Sequence, residues 1–174
     1  MSADENIVTV IHRLTNVGPW MIELAPWVLS VMDMGGVAIV PLPEKRPHTE
    51  VVAPDFPLVM WPYTDMSDER LTWGKRYITF RQVPGKSPNK FGMALCEGWA
   101  AYLVHGTLFA KYFDFDPFAI YPDFGCNFET FANEEMLEVE SLGPLTALDA
   151  GETVEHIETW RLWKDVPEIT DDAS

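Results

Sequence analysis

Apolar and polar residues alternate with a period of two along most of this chain. In residues 6–16, valines, a histidine and a leucine occupy even-numbered positions, whereas threonines and an arginine occupy odd-numbered ones. This spacing is typical of a β-strand with one buried face. No segment keeps a helical period for longer than a turn or two, so no long helix is predicted. Similar runs predict strands over 6–16, 20–32, 37–42, 76–83, 90–96, 98–105, 107–113, 125–131, 136–142 and 153–163.

Turn-forming residues separate these runs. The sequence Asn16-Val17-Gly18-Pro19 follows the first run, and both Glu97-Gly98 and His105-Gly106 are typical of tight hairpin turns. Pro26 interrupts the second run, which indicates an edge strand or a bulge, because proline cannot donate a ladder hydrogen bond. Many short strands with regular turns predict an all-β protein, an antiparallel β-sandwich or barrel.

One long stretch, residues 43–75, lacks the alternation and is rich in proline and polar residues. We expect it to cross the surface as a loop. Its large aromatic residues Trp61, Tyr63 and Trp73 favour an ordered, functional loop over a disordered one. The end of the chain is acidic and is expected to be frayed. The predicted organisation is one β-sandwich domain over residues 1–164 and an acidic tail over residues 165–174.

Charge and composition restrict the function. The chain of 174 residues has a formal net charge of -15, which disfavours nucleic acids and anionic membranes as partners. No run of about 18 apolar residues predicts a transmembrane helix. The start, MSADENIVTV, lacks the features of a signal peptide, so we expect a cytoplasmic protein unless a signal lies on a missing N-terminal part. The two cysteines, Cys96 and Cys126, are too few for a disulfide scaffold and are expected to be buried thiols.

Glu129 is the residue that most strongly suggests chemistry, because it lies within a predicted strand that also contains Phe128 and Phe131. An ionised side chain is rarely placed there without a partner or a function. Asn127 shares a strand face with Glu129 and could orient a sugar hydroxyl beside the carboxylate. The alternative is a structural glutamate paired with Arg13, Lys111 or Arg161.

The sequence around Glu129 resembles a known family. The segments Gly125-Cys126-Asn127-Phe128-Glu129 and Leu148-Asp149-Ala150-Gly151-Glu152, followed by a final strand from His156 to Trp163, resemble the C-terminal end of the galactose mutarotase-like, or aldose 1-epimerase-like, superfamily. The segment LTNVGPWMIELAPWVLSV resembles another feature of this fold, a strand, a Thr-Asn-x-Gly turn and a return strand, and landmarks such as WPYTD and FAKYF resemble an uncharacterised branch of the superfamily. Complete members are longer, so the resemblance implies a truncated supersandwich that lacks its N-terminal part.

The resemblance implies a catalytic role for Glu129. In mutarotases a glutamate is the base at the anomeric hydroxyl, and a histidine protonates the ring oxygen. By position Glu129 matches the base, but the segment Leu24 to Leu29, where the histidine is expected, contains none. His105, at the end of a strand, is then the first candidate acid and Lys111 the second. A lysine would need desolvation to lose its proton near neutrality.

Other residues are candidates for ligand binding. Trp61, Trp73 and Trp99 could form a platform for a sugar ring. Glu138 and Glu140 share a strand face, which indicates glycosidase-like acid–base chemistry, a calcium site or simply a solvated face. No zinc-site spacing of histidines and cysteines occurs, and we predict neither a metal nor a cofactor. The candidate polar contacts to a sugar are Asn127, Asp123, Arg70 and Lys90.

These observations lead to one functional prediction with alternatives. We expect a carbohydrate-binding protein with aldose mutarotase or epimerase activity. The alternatives are a non-catalytic carbohydrate-binding or assembly module and a carbohydrate-active hydrolase or lyase on the same fold. Because an incomplete sandwich exposes strand edges and apolar surface, a homodimer or higher oligomer is also expected.

Overall fold

The alternating residues form strands throughout residues 5–169, the part of the chain that the computed structural model describes. The only helical turn in this part is α1 (Pro122–Gly125). The strands are β1 (Ile7–Thr15), β2 (Ile22–Leu24), β3 (Trp27–Met32), β4 (Val37–Pro41), β5 (Leu58–Met60), β6 (Leu71–Trp73), β7 (Tyr77–Arg81), β8 (Asn89–Met93), β9 (Trp99–Val104), β10 (Thr107–Phe113), β11 (Phe128–Ala132), β12 (Leu137–Leu142), β13 (Thr146–Leu148) and β14 (Thr153–Trp163).

Antiparallel pairing arranges these strands into two large sheets and one small one. The first sheet has seven strands in the order β1-β14-β10-β9-β4-β7-β6, and the second has five in the order β3-β12-β11-β8-β5. Strands β13 and β2 form a separate pair. The predicted all-β antiparallel sandwich is therefore confirmed. No helix among residues 5–169 is long and apolar enough to cross a membrane.

The main hydrophobic core fills the space between the two large sheets. Phe80 and Tyr102 enter it from the seven-stranded sheet, and Phe91 and Phe128 enter it from the five-stranded sheet. Phe113 stacks on Phe128 with ring centroids 6.3 Å apart, which joins the two sheets. Residues that alternate with this set point outward, and on the five-stranded sheet that outward face carries Glu129.

A second apolar layer covers the outer face of the seven-stranded sheet. Ile39 and Leu103 pack there beneath Trp99, and Val166 and Ile169 pack against the same cluster. The expectation of a frayed tail is therefore wrong for residues 165–169, because their apolar side chains cover this layer. The remaining tail residues, 170–174, lie outside the described part of the chain, as do residues 1–4.

Several predicted connections differ in the structure. The run 20–32 divides at Ala25-Pro26 into β2 and β3, and β3 is an edge strand, as the proline indicated. The predicted Glu97-Gly98 hairpin is wrong, because β8 and β9 belong to different sheets and the turn carries the chain between them. The His105-Gly106 turn is confirmed as the hairpin between β9 and β10, where Val104 pairs with Thr107.

The stretch 43–75 is not entirely a loop. It contributes β5 to one edge of the five-stranded sheet and β6 to one edge of the seven-stranded sheet. Three-residue strands leave too little alternation to be recognised in sequence. Cys126 is buried as expected, whereas Cys96 is exposed, which corrects the prediction of two buried thiols.

Candidate functional site

A buried charged cluster lies on the outer face of the five-stranded sheet. Glu129 in β11 is directly opposite Glu140 in β12, and on the other side of Glu129 the neighbouring strand β8 carries Lys90. The three side chains share one face because the strands alternate in register. All three are buried although they point away from the core, and Glu129 is 0% exposed.

Lys90 is the common partner of both glutamates. Its Nζ lies 2.6 Å from Oε2 of Glu129 and 3.1 Å from each carboxylate oxygen of Glu140. Glu129 is thus paired with a cation, but with none of the three suggested by the sequence. Arg13 instead pairs with Glu155, and Lys111 pairs with Glu158.

Two indole rings cover Lys90. Its Nζ is 5.1 Å from the ring centroid of Trp27 and 4.8 Å from that of Trp61, so both contacts are cation–π interactions. Trp27 Nε1 donates a hydrogen bond of 2.7 Å to Oε2 of Glu140, which fixes the orientation of the ring. Thr64 accepts a hydrogen bond of 2.8 Å from the backbone N–H of Trp61. These contacts fix the ring of Trp27 and the backbone of Trp61, and Trp27 remains 54% exposed.

Burial dominates the acid–base behaviour of Glu129. Desolvation raises the pKa of its carboxyl to about 7, although Lys90 lowers it and the nearby carboxyl of Asp123 raises it further. The 2.6 Å contact of its Oε2 with Nζ of Lys90 is therefore the main favourable contact of the buried carboxylate. Burial alone would lower the pKa of Lys90, but the two carboxylates raise it, so this residue stays a cation.

Close packing leaves little space beside Glu129. Gly92 pairs directly with it, and a Cβ atom placed on Gly92 would lie 2.8 Å from Sγ of Cys126 and 3.1 Å from both Cγ of Glu129 and the ring of Trp61. Burial raises the pKa of the Cys126 thiol to about 12, so it is not a nucleophile at neutral pH. A ligand that approaches this face of the sheet therefore contacts the rings of Trp27 and Trp61 and not the covered carboxylate of Glu129.

Asp123 reaches this cluster from a strained loop. Asp123 and Phe124 have φ values of 48° and 61°, so two consecutive residues with side chains adopt the left-handed conformation inside α1. For a bulky residue such as Phe124 this conformation is unfavourable, whereas asparagine tolerates it. Burial of the Phe124 ring does not offset this strain, because the residue is 90% exposed.

The strain at Phe124 leads to a prediction about stability. We expect Phe124→Asn to raise the free energy of unfolding by about 0.5–1 kcal/mol, because the substitution relieves strain and removes no buried surface. Urea denaturation of the wild type and the variant measures the difference. A lower unfolding free energy in Phe124→Asn would mean that the exposed ring stabilises the fold.

The two candidate acids lie elsewhere. His105 is exposed on the β9–β10 hairpin, where its Nε2 is 3.3 Å from Oδ2 of Asp33. Lys111 lies between the two large sheets and contacts Glu158. Lys111 is desolvated as a catalytic lysine must be, and burial lowers its pKa. However, Lys111 contacts Glu158 and not Glu129. The structure brings neither residue to the proposed base.

Lys111 belongs to a second buried polar cluster, which joins the sheets. Its Nζ is 2.7 Å from Oε1 of Glu158 and donates hydrogen bonds to the carbonyl oxygens of Val28 at 2.9 Å and Val139 at 3.1 Å. The Ser141 hydroxyl donates a hydrogen bond of 2.5 Å to the same oxygen of Glu158 and contacts Nε2 of His156 at 2.8 Å. Because Val28, Val139 and Ser141 belong to the other sheet, this cluster connects the two sheets through polar contacts.

Most of the predicted sugar contacts are also distant from Glu129. The amide of Asn127 exchanges hydrogen bonds of 2.6 and 3.2 Å with the backbone of Leu95, so it has a structural role. Arg70 is buried and bonded to Asp68 and to the carbonyl of Ser87. Trp73 packs on Phe91 towards the core, and Trp99 packs on Tyr77 on the outer face of the seven-stranded sheet. The predicted ligand residues that do lie at the cluster are Trp61, Lys90 and Asp123.

The paired carboxylates Glu138 and Glu140 do not form a solvated face. Glu140 is fully buried and bonded to Lys90 and Trp27, whereas Glu138 is half-buried. Burial raises the pKa of Glu138, and the neighbouring Glu140 raises it further. No group of three or more histidine, cysteine or carboxylate side chains in the described part of the chain is arranged to hold a metal ion.

Two residues of the site were not predicted as ligand contacts from the sequence, although one of them, Tyr63, lies in the stretch that was expected to be a functional loop. Trp27 lies on β3, in the segment where the resemblance implies a histidine, and its exposed ring was not recognised as a candidate. Tyr63 is half-exposed and close enough to the cluster for Lys90, Glu140 and Glu129 to affect its pKa, which burial raises. Trp27 is paired with Leu142, two residues beyond Glu140 on the same face, and this register is visible only in the folded sheet.

Comparisons with known proteins support the fold and no more. No family model matches the chain, and no curated protein matches it in sequence. Among solved structures, the Slr1438 protein from Synechocystis is similar, with a TM-score of 0.53 and 7% sequence identity. The match covers 91% of this chain and 51% of that one, so the chain spans about half the length of the Slr1438 protein. At this identity the likeness shows a shared β-sandwich architecture alone.

Proposed function

We propose that this protein binds a carbohydrate on the outer face of the five-stranded sheet, with Trp27, Trp61 and Tyr63 as stacking rings. The observation that carries the proposal is the ring of Trp27, which is 54% exposed and yet held by a hydrogen bond to Glu140 and by the ammonium of Lys90. A rigid aromatic ring binds the apolar face of a pyranose with little loss of side-chain entropy. Because Lys90 and the two carboxylates beneath the ring are buried, their role is to position it.

Polar groups around these rings can supply hydrogen bonds to sugar hydroxyls. Tyr63 and Glu138 are partly exposed, and Asp123 is exposed at the other side of the cluster. Carboxylate oxygens accept hydrogen bonds, and the tyrosine hydroxyl both donates and accepts. This combination of stacking rings and a polar rim is what a carbohydrate site requires.

Binding without catalysis agrees best with the geometry. The carboxylate of Glu129 is covered, and no candidate acid contacts it. Trp27 stands in the segment where the resemblance implies the acid, but an indole N–H is a hydrogen-bond donor that does not release its proton near neutral pH. A catalytic cycle would need both an opening of the cluster and a proton donor from elsewhere.

Titration of the wild type and of Trp27→Ala with a panel of neutral mono- and oligosaccharides tests this proposal. We expect saturation-transfer NMR and tryptophan fluorescence to detect binding by the wild type, and Trp27→Ala to weaken it at least tenfold. Trp20→Ala is the matched control, since Trp20 is 78% exposed but lies outside the site. Equal binding by both variants, or no binding to any sugar, would exclude the site.

Mutarotation is a second candidate function, which one observation favours. The pKa of Glu129 is raised to about 7, near the value at which a carboxylate is an efficient general base at neutral pH. If opening of the Lys90 contact exposes this carboxylate, the protein accelerates the interconversion of sugar anomers, and Glu129→Gln abolishes the acceleration. Polarimetry of freshly dissolved aldoses measures the rate. A wild-type rate equal to the buffer rate would eliminate this function while leaving carbohydrate binding intact.

A further inference from the structure

We propose that one end of the sandwich is a docking surface for a protein segment whose apolar side chains are flanked by lysine or arginine. This surface, which we call the apolar–acidic end, consists of residues 16–26, 114–127 and 143–152. The inference does not depend on carbohydrate binding, because it rests on the exposed side chains, the backbone and the charges of these three segments.

Hydrogen bonds hold the three segments together as one surface. Strand β2 pairs with β13, which joins the first and third segments. The backbone N–H of Leu145 donates a hydrogen bond of 2.8 Å to the carbonyl of Ile120, which joins the third and second. The Asn16 amide donates to the carbonyls of Trp20 and Leu148, and this anchors the turn after β1. The segments are therefore ordered relative to one another.

Large apolar side chains project from this end into solvent. Phe118 is 95% exposed and Phe124 is 90% exposed, and neither packs against the core. Single exposed apolar residues are ordinary, but several on adjoining segments mark an interaction surface. The others on the apolar–acidic end are Val17, Trp20, Met21, Ile22, Ile120 and Leu145.

The backbone at Phe124 is a second, independent observation. Its left-handed conformation is unfavourable for a phenylalanine, and the exposed ring does not offset this in the isolated chain. Strained residues with side chains persist mostly where they contribute to binding. A partner that covers the Phe124 ring would supply the compensating burial.

Charge identifies the kind of partner. The three segments contain six carboxylates and no lysine, arginine or histidine. A second copy of this chain would bring like charges together, and an anionic membrane would be repelled as well. A segment with basic residues around an apolar stripe complements both properties of the surface. The carboxylates are Glu23, Asp114, Asp116, Asp123, Asp149 and Glu152.

The experiment measures binding of a labelled amphipathic peptide of about 18 leucine and lysine residues, with leucines at helical spacing, by fluorescence anisotropy. The comparison peptide has glutamate in place of every lysine. We expect the basic peptide to bind, with an affinity that falls as salt is raised, and the acidic peptide to bind at least tenfold more weakly. The double variant Phe118→Ser/Phe124→Asn should bind the basic peptide at least tenfold more weakly than the wild type does. The double variant Glu23→Gln/Asp149→Asn should reduce the salt dependence of that binding.

Control measurements separate docking from misfolding and from other partners. Val52→Ser removes a side chain that is 95% exposed outside the apolar–acidic end, and it should leave binding unchanged. Circular dichroism and thermal melting verify that each variant is folded. The proposal is overturned if the acidic and basic peptides bind equally or if the phenylalanine variants bind as the wild type does. It is also overturned if the same phenylalanines mediate binding to phosphatidylcholine vesicles or self-association instead.

Discussion

Lys111→Met is expected to lower the free energy of unfolding by about 3–5 kcal/mol at pH 7, the usual cost of leaving a buried charge without its partner. Lys111 is 0% exposed, and its loss would leave the Glu158 carboxylate between the sheets without its ammonium partner, with only the longer 3.4 Å contact to Nε2 of His12 in its place. The carbonyl oxygens of Val28 and Val139 would also lose a donor. Urea denaturation followed by tryptophan fluorescence measures the change.

The pH dependence of Lys111→Met provides an internal check. In the wild type, burial raises the pKa of Glu158, but Lys111 and the hydrogen bonds from Ser141 and Trp160 outweigh it, so the net shift is downward. Glu158 therefore contributes stability above its unfolded pKa, and this contribution is lost as the pH falls. In Lys111→Met the largest opposing influence on the pKa of Glu158 is gone, and we expect burial to outweigh the remaining hydrogen bonds from Ser141 and Trp160. The pKa would then lie above its unfolded value, and the contribution of Glu158 to stability would be lost as the pH rises. The difference between wild type and variant should consequently widen from pH 5 to pH 8.

Two matched variants distinguish a buried charge effect from simple loss of a lysine. Lys86 forms an exposed ion pair of 2.6 Å with Glu69, and Lys86→Met should cost less than about 1 kcal/mol because surface pairs are weak. Lys111→Met/Glu158→Gln should recover part of the loss, since no charge is then left unpaired. A loss in Lys111→Met no larger than in Lys86→Met would contradict the role assigned to this cluster.

The sequence predicted the strands well because apolar and polar residues alternate along most of them, even along the edge strand β1, whose side chains are half-buried or exposed. The alternation in residues 6–16 corresponds to β1, and the His105-Gly106 turn forms the predicted hairpin. Alternation does not specify the partner of a strand, however. Glu97-Gly98 has the composition of a hairpin turn, and yet it carries the chain from one sheet to the other. Assigning strands to sheets requires contacts between residues that are distant in sequence.

The same limit applies to the candidate site. Glu129 was recognised because a carboxylate inside a strand needs an explanation, but its partner Lys90 lies in another strand, at a register that only the sheet reveals. Trp27 and Tyr63 are ordinary members of apolar or mixed stretches in the sequence. Their proximity to Lys90 results from the folding of three distant segments onto one face. The left-handed conformation of Phe124 has no sequence signal at all, since phenylalanine disfavours it.

Burial of Glu129 leads to the second large prediction. Its pKa is about 7 in the folded protein and 4.5 in its unperturbed state, so folding favours the neutral carboxyl. This group therefore contributes most to stability below pH 4.5, and its contribution is lost as the pH rises through 7. Glu129→Gln removes the titration, because the amide is neutral at every pH. We expect the free energy of unfolding of Glu129→Gln, relative to wild type, to increase by about 2–3 kcal/mol between pH 5 and pH 8.

Parallel urea titrations of the wild type, Glu129→Gln and a control at several pH values test this expectation. Glu134→Gln is the control, since Glu134 is exposed in the turn between β11 and β12, and its effect on the free energy of unfolding should be small. NMR titration of the Glu129 carboxyl carbon measures the same ionisation directly and should give a midpoint near neutrality. A relative stability that does not change with pH would mean that the ion pair with Lys90 outweighs burial. Glu129 would then be a permanently ionised structural residue, and its proposed role as a base would lose its physical support.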